Sequence, residues 1–146
     1  MKTRVLMVDD EKEFIQALSE RLTLRDYDVT TAFSGYEAVE KMKKYLFDVT
    51  ILDVLMPGMS GIETLREIKK IKPLVEVIML TGNATIETAI EGMRLGAFDF
   101  LLKPCETEAL VAKIDKAYAK KLEHDERIRA AKVEEIVSSP MAALKE

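Results

Sequence analysis

The sequence carries a single cysteine, Cys105, so it forms no internal disulfide and offers no thiolate cluster to a metal, as suits a reducing compartment. That cysteine reads as a small, partly buried packing residue. No stretch approaches the roughly 18 consecutive apolar residues that a membrane span needs. The opening MKTRVLMVDDE turns acidic after four apolar residues, so no signal peptide is expected and a cytoplasmic location is. Basic residues are in the minority, 22 Lys and Arg against 26 Asp and Glu, for a net charge of -4. A face basic enough to bind a nucleic-acid backbone directly is therefore not expected. There is no Walker motif, no helix-turn-helix, no internal repeat and no low-complexity segment. The lone histidine, His124, lies in a charged stretch and reads as an exposed, solvated residue.

What is present is enough apolar material for one core. With 48% hydrophobic and 33% charged residues over 146 positions, the chain fits neither disorder nor a membrane protein, and one domain is expected. Short runs rich in β-formers at 4–8, 49–52, 75–80 and 98–102 read as buried strands, with a weaker one at 27–32. Helical stripes lie between them: Phe14, Leu18 and Leu22; Ala38, Met42 and Tyr45; Ile62, Leu65 and Ile68; Ile86, Ile90 and Met93. Ser34 with Glu37, and Ser60 with Glu63, read as capping boxes, and Gly96 as a helix stop. A last helix is expected from Thr107 to about Val137, with Leu110, Ile114, Tyr118 and Leu122 inward; Ser138, Ser139 and Pro140 would end it. At 1.5 Å per residue it would reach about 45 Å, longer than a small domain needs, so its charged second half should project. Alternating strands and helices predict an α/β fold, a parallel sheet covered on both faces with right-handed crossovers.

In such a sheet, chemistry collects beyond the carboxyl ends of the strands. The residues at those ends are Asp9 and Asp10, Asp53, Thr81 and Lys103. Either acid of the first pair, taken singly, also reads as a helix cap. Asp53 after an apolar strand is harder to explain structurally, because a buried carboxylate needs a partner or a metal. Three converging carboxylates repel unless a cation joins them, and magnesium suits few carboxylates completed by water and phosphate oxygens. A carboxylate beside such an ion can attack a phosphoryl group to form an acyl phosphate, which makes Asp53 the candidate nucleophile. Lys103 would place a charge, and Thr81 a hydroxyl donor, against the transferred oxygens. Read structurally, Lys103 is a solvated lysine after a strand and Thr81 a turn residue.

The motifs VDD at 8–10, DVLMPGMSG at 53–61, LTG at 80–82, GAFDF at 96–100 and LKP at 102–104 resemble, in order and spacing, the receiver domain of two-component response regulators. The resemblance covers about residues 1 to 120. It implies a (βα)5 flavodoxin-like (CheY-like) three-layer sandwich with strand order 2-1-3-4-5. It also implies Mg2+-dependent phosphorylation of Asp53 by a sensor histidine kinase. Asp10, Asp53 and the Leu55 carbonyl would ligate the metal directly, with Asp9 acting mainly through water; Thr81 and Lys103 would hold the phosphoryl group. Phe100 stands at the switch aromatic, Lys103-Pro104 resembles the family's cis peptide, and Pro57 and Gly58 would turn the chain beside the nucleophile. Phe100 also reads, from periodicity, as a plain core aromatic. Being phenylalanine, it brings no hydroxyl to hold an inward state.

The expected output is a switched protein-interaction surface, with a homodimer through the fourth helix, fifth strand and last helix as an added expectation. The chain would catalyse its own phosphoryl transfer and autodephosphorylation while acting primarily as a regulator. Because Leu55 and Asn83 do not activate a water, the phosphoryl group is expected to last at least minutes without a phosphatase. Residues 1–120 are read as the receiver and 121–146 as a charged helical extension with a frayed tail. The alternative within the family is a receiver fragment of a larger transcription regulator whose output domain lies elsewhere. A haloacid dehalogenase-type phosphatase needs Asp-x-Asp, whereas Glu11 and Lys12 stand two residues after Asp9 and Asp10. A flavin binder needs a phosphate-cradling first loop, and DDEKE would repel one.

Overall fold

The computed structural model describes residues 2–82 and 86–138. Strands and helices alternate as β1 Arg4–Val8, α1 Lys12–Thr23, β2 Asp28–Ala32, α2 Gly35–Lys44 and β3 Val49–Leu52. They continue as α3 Gly61–Ile71, β4 Glu76–Thr81, α4 Ile86–Arg94, β5 Asp99–Leu102 and α5 Thr107–Ser138. All pairings are parallel and the order is β2-β1-β3-β4-β5, as the resemblance implied. The switch in strand order falls between β1 and β3, which opens a crevice at their carboxyl ends.

Each strand feeds two cores because successive side chains point to opposite faces. Leu6, Val8, Leu52 and Met79 pack with Ala38 and Met42 of α2 and Leu65 and Ile68 of α3. Val5, Met7, Ile51 and Leu80 meet Ile15, Leu18 and Leu22 of α1 and Leu110, Ile114 and Ala117 of α5. Burial on both faces is why β1, β3 and β4 are continuous apolar runs rather than alternating ones.

Both serines cap their helices, the first half of each expected capping box. The Ser34 hydroxyl accepts from the Glu37 N–H at 3.1 Å, and the Ser60 hydroxyl from the Glu63 N–H at 3.2 Å. After α4, Gly96 takes a left-handed φ of 101°, and the Ala97 N–H reaches back to the Gly92 carbonyl at 2.9 Å. The cap of α1 is Glu11 rather than Asp9 or Asp10, and its side chain makes no capping bond.

Three inner faces differ from the expected stripes. Tyr45 is exposed because it is the C-cap of α2, where the backbone has left helical geometry and the stripe no longer continues. In α4 the residues turned inward are Ala89 and Gly92, while Ile86, Ile90 and Met93 are exposed. The end of the Met79 side chain occupies the space beside Gly92, where a Cβ would sit 2.2 Å from Met79 Cε. In α5 the buried positions are Leu110, Ile114 and Ala117; Tyr118 is half-buried and Leu122 exposed. By Leu122 the helix has run past the sheet. His124 is half-buried rather than exposed.

The helix α5 nevertheless stays tied to the amino-terminal edge of the sheet. Lys121 pairs with buried Asp48 at 3.2 Å and with Asp125 at 3.0 Å, and Lys120 lies 3.9 Å from buried Glu76. Arg4 completes the clamp on Asp48 at 3.0 Å. Burial would raise the Asp48 carboxyl, but hydrogen bonds from Arg4 and Lys121 outweigh it and hold the group below the usual carboxylate range. Residues 139–146, including Ser139 and Pro140, lie outside the described residues, as does Asn83.

Candidate functional site

The residues named from the strand ends meet at one rim, because the ladder hydrogen bonds run on past the strands. The Asp9 N–H donates to the Ala32 carbonyl at 3.1 Å, the Asp53 N–H to Val8 at 2.9 Å and the Lys103 N–H to Thr81 at 2.9 Å. Asp9 follows β1, Asp53 follows β3 and Lys103 follows β5, while Thr81 is the last residue of β4. Asp9 and Asp53 are 4% and 5% exposed, and Asp10 lies open to solvent. Carboxylate oxygens of Asp9, Asp10 and Asp53 lie within 4.8 Å of one another.

The Lys103 ammonium sits among these groups, 2.5 Å from Asp9 Oδ2, 3.2 Å from Glu11 Oε1 and 3.8 Å from Asp53 Oδ2. The Phe14 ring lies beneath it, 4.3 Å to the centroid. Burial would lower the Lys103 pKa; its hydrogen bond to Asp9 and the charges of Asp9 and Asp53, with Glu11, raise it instead, so it stays a cation. Asp53 moves the other way. Burial and the charge of Asp9 push its carboxyl up to about 6, against the Lys103 charge, a hydrogen bond from Thr81 and the Leu55 N–H, which donates to Oδ1 at 3.4 Å.

Two backbone features bring Asp53 to the rim. The chain turns at Pro57-Gly58, where Gly58 has φ 76°, a left-handed value that suits glycine. It then returns so closely that a Cβ on Gly61 would lie 2.3 Å from the Asp53 carbonyl oxygen and 2.4 Å from Val54 Cα. The Lys103-Pro104 peptide is cis. The Leu55 side chain points to solvent.

The donor set fits a hard divalent cation. Three carboxylates face one shared ammonium, so negative charge is in excess, and every candidate ligand is oxygen. Phe100 is half-buried: it packs on the core beneath α2 and α3, and it lines an apolar groove of about 700 Å³ with Ile86, Ala89, Ile90, Met93 and Leu102. That groove was not legible in the sequence, since it arises from the unexpected rotation of α4. Two neighbours of Lys103 were missed as well. Phe14 looked like part of the α1 stripe, and Glu11 like one acid among several; only the acidic run DDE hinted at it.

The family described as the response regulator receiver domain matches residues 5–115. The transcriptional regulatory protein ZraR of Escherichia coli is 38% identical over 115 residues, 79% of this chain and 26% of that protein. A CpxR homolog of Haemophilus influenzae is 41% identical over 112 residues, 77% of this chain and 48% of that protein. The chain thus spans about a quarter to a half of these relatives. Among solved structures, a CheY-like receiver domain protein of Methanospirillum hungatei superposes with a TM-score of 0.82 at 27% identity, covering 85% of this chain and 99% of that one. The receiver domain of NtrX from Brucella abortus gives a TM-score of 0.75 at 31% identity, covering 79% and 98%.

Proposed function

Because the chain belongs to the response regulator receiver family, we propose that it is a phosphorylation-controlled signalling module whose acceptor is Asp53. The observation that carries this reading is the surroundings of Asp53: two further acids, an ammonium and a hydroxyl gathered around one carboxylate. With its carboxyl near 6, Asp53 is mainly ionised at neutral pH and available as a nucleophile.

In the transfer, an Asp53 carboxylate oxygen forms a bond to phosphorus as the bond to the donor breaks. The donor is the phosphohistidine of a sensor kinase or a small acyl phosphate, and the leaving group departs with the bonding electrons. Lys103 and Thr81 meet two of the three phosphoryl oxygens and hold the product. Asp9, Asp10, Asp53 and the Leu55 carbonyl are the groups that would hold Mg2+. When bound, that ion supplies positive charge against the developing phosphoryl anion.

The output runs through β4 and β5. Thr81 pairs with Leu102, and Met79 with Phe100, so a Thr81 drawn toward the phosphoryl group disturbs the strand that floors the α4 groove. We read that groove, with Thr81 and Phe100 as the switch, as the surface whose partner changes. Its exposed apolar residues also favour a homodimer through α4, β5 and α5. A second reading, a receiver portion of a longer transcription regulator, is favoured by the fraction of its relatives that the chain spans. No helix among the described residues is long and apolar enough to cross a membrane, and a cytoplasmic location is part of the proposal.

Incubation with acetyl phosphate and Mg2+ followed by intact mass tests the acceptor. One phosphoryl group is expected on the native chain and none on Asp53→Ala; equal gain by both would end the reading. The exposed, apolar Leu55 side chain offers no group to orient an attacking water. The phosphorylated protein should accordingly decay over minutes or longer, and loss within seconds would contradict this. Size-exclusion chromatography with and without beryllofluoride tests the dimer, which should appear only with the phosphoryl mimic.

A further inference from the structure

The ammonium of Lys103 is displaced from the acceptor. It lies 2.5 Å from Asp9 and 3.2 Å from Glu11 but 3.8 Å from Asp53, so it leans toward the loop between β1 and α1. Asp9 and Asp53 belong to the acidic triplet that suits a cation, and Glu11 does not. Glu11 is the N-cap residue of α1, a position whose side chain usually bonds the first helical N–H groups, yet it makes no such bond and reaches across to Lys103 instead. Its backbone is fixed, since the Glu11 N–H donates to Asp9 Oδ1 at 3.0 Å. The Glu11 side chain is 63% exposed, while Lys103 is only 12% exposed. The pair therefore joins a sheltered, shared cation to an anion at the mouth of the site.

We propose that Glu11 is a positioning residue that competes with the phosphoryl group for Lys103, and so lowers the rate and extent of Asp53 phosphorylation. This rests on Asp53 being the acceptor. For Lys103 to meet an oxygen of a phosphoryl group carried by Asp53, its ammonium moves toward Asp53 and gives up the Glu11 carboxylate. Removing that carboxylate leaves Lys103 with Asp9 and Asp53 alone and shifts its resting position toward the incoming group. An exposed ion pair is weak, so the effect is graded rather than all-or-none.

The test follows phosphoryl uptake from acetyl phosphate with Mg2+ by intact mass at low ionic strength. Uptake by the native chain and none by Asp53→Ala establishes the acceptor; failure of that control sinks the functional reading itself. With the control in hand, Glu11→Gln should take up phosphoryl groups about two- to fivefold faster, the range that an exposed pair supports. An unchanged or slower rate overturns the proposal. Glu13 carries the same charge in the first turn of α1 and pairs with no described residue. Glu13→Gln should match the native rate; an acceleration equal to that of Glu11→Gln would mean simple repulsion of the anionic donor and overturn the proposal. In a Lys103→Ala background, adding Glu11→Gln should change the slow residual rate by less than a factor of about two, as two residues acting through one contact require. A gain as large as in the native background also overturns it.

Discussion

Asp53 carries a stability consequence that is separate from its chemistry. Its carboxyl is pushed from 3.8 to about 6, first by burial and then by the charge of Asp9. A carboxyl with a folded pKa above its unfolded value binds protons more tightly in the folded state. Its stabilisation is therefore full below pH about 4 and lost as the pH rises to about 6, an effect of about 3 kcal/mol for two units. Urea unfolding in chelator from pH 4.5 to 7.5 should show Asp53→Asn gaining on the native chain across that window, and exceeding it by about 1–3 kcal/mol at pH 7.5. Equal stability at pH 7.5 would show that the site tolerates the charge. At this scale the sequence was highly legible: Asp9, Asp10, Asp53, Thr81 and Lys103 each stand at a strand end, which a short, continuous run of β-forming apolar residues identifies. Glu11 and Phe14 were not legible, because their contact with Lys103 crosses 92 and 89 positions and depends on one rotamer of a long side chain.

Among the elements, α3 is the one most directly bound to the site. Its first residue, Gly61, donates to the Val54 carbonyl at 2.8 Å and leaves no room for a Cβ against the backbone of Asp53 and Val54. Gly61→Ala should cost about 2 kcal/mol or more in unfolding free energy, since backbone cannot move aside as a flexible side chain can. It should also slow phosphoryl uptake by displacing Asp53. A stability within about 0.5 kcal/mol of native would contradict this close approach. The Ser60 cap on the Glu63 N–H was readable from type and spacing alone, because it involves only neighbours in sequence. The face that α4 turns inward was not. Large apolar side chains at Ile86, Ile90 and Met93 made the stronger stripe, but the helix buries Ala89 and Gly92, with the Met79 side chain filling the space beside Gly92.

Across the molecule, α5 runs on past the sheet. We propose a boundary after residue 120, where the helix leaves the sheet; Lys120 and Lys121 hold it there through Glu76 and Asp48. From residue 126 to residue 137 every position is exposed. A chain ended after Asp125 keeps both ties and should unfold within about 0.5 kcal/mol of the full chain, with unchanged phosphoryl uptake. A chain ended after Ala119 loses both partners of buried carboxylates and should be less stable by more than about 1 kcal/mol. Thermal melts of the two truncations check this, and equal melting temperatures would show that the ties contribute nothing.

By itself the sequence determined the alternation of strands and helices, the parallel sheet, the caps and the identities of the rim residues. All of these follow from periodicity and from contacts between near neighbours, which a linear reading can see. The tertiary structure alone decided which side of α4 faces the sheet, how deep the Phe100 groove is, where Lys103 rests between Asp9, Glu11 and Asp53, and how α5 is fastened below the sheet. Those outcomes depend on how closely separate elements approach and on which charges then share one small volume, and such distances are set only when the chain is folded.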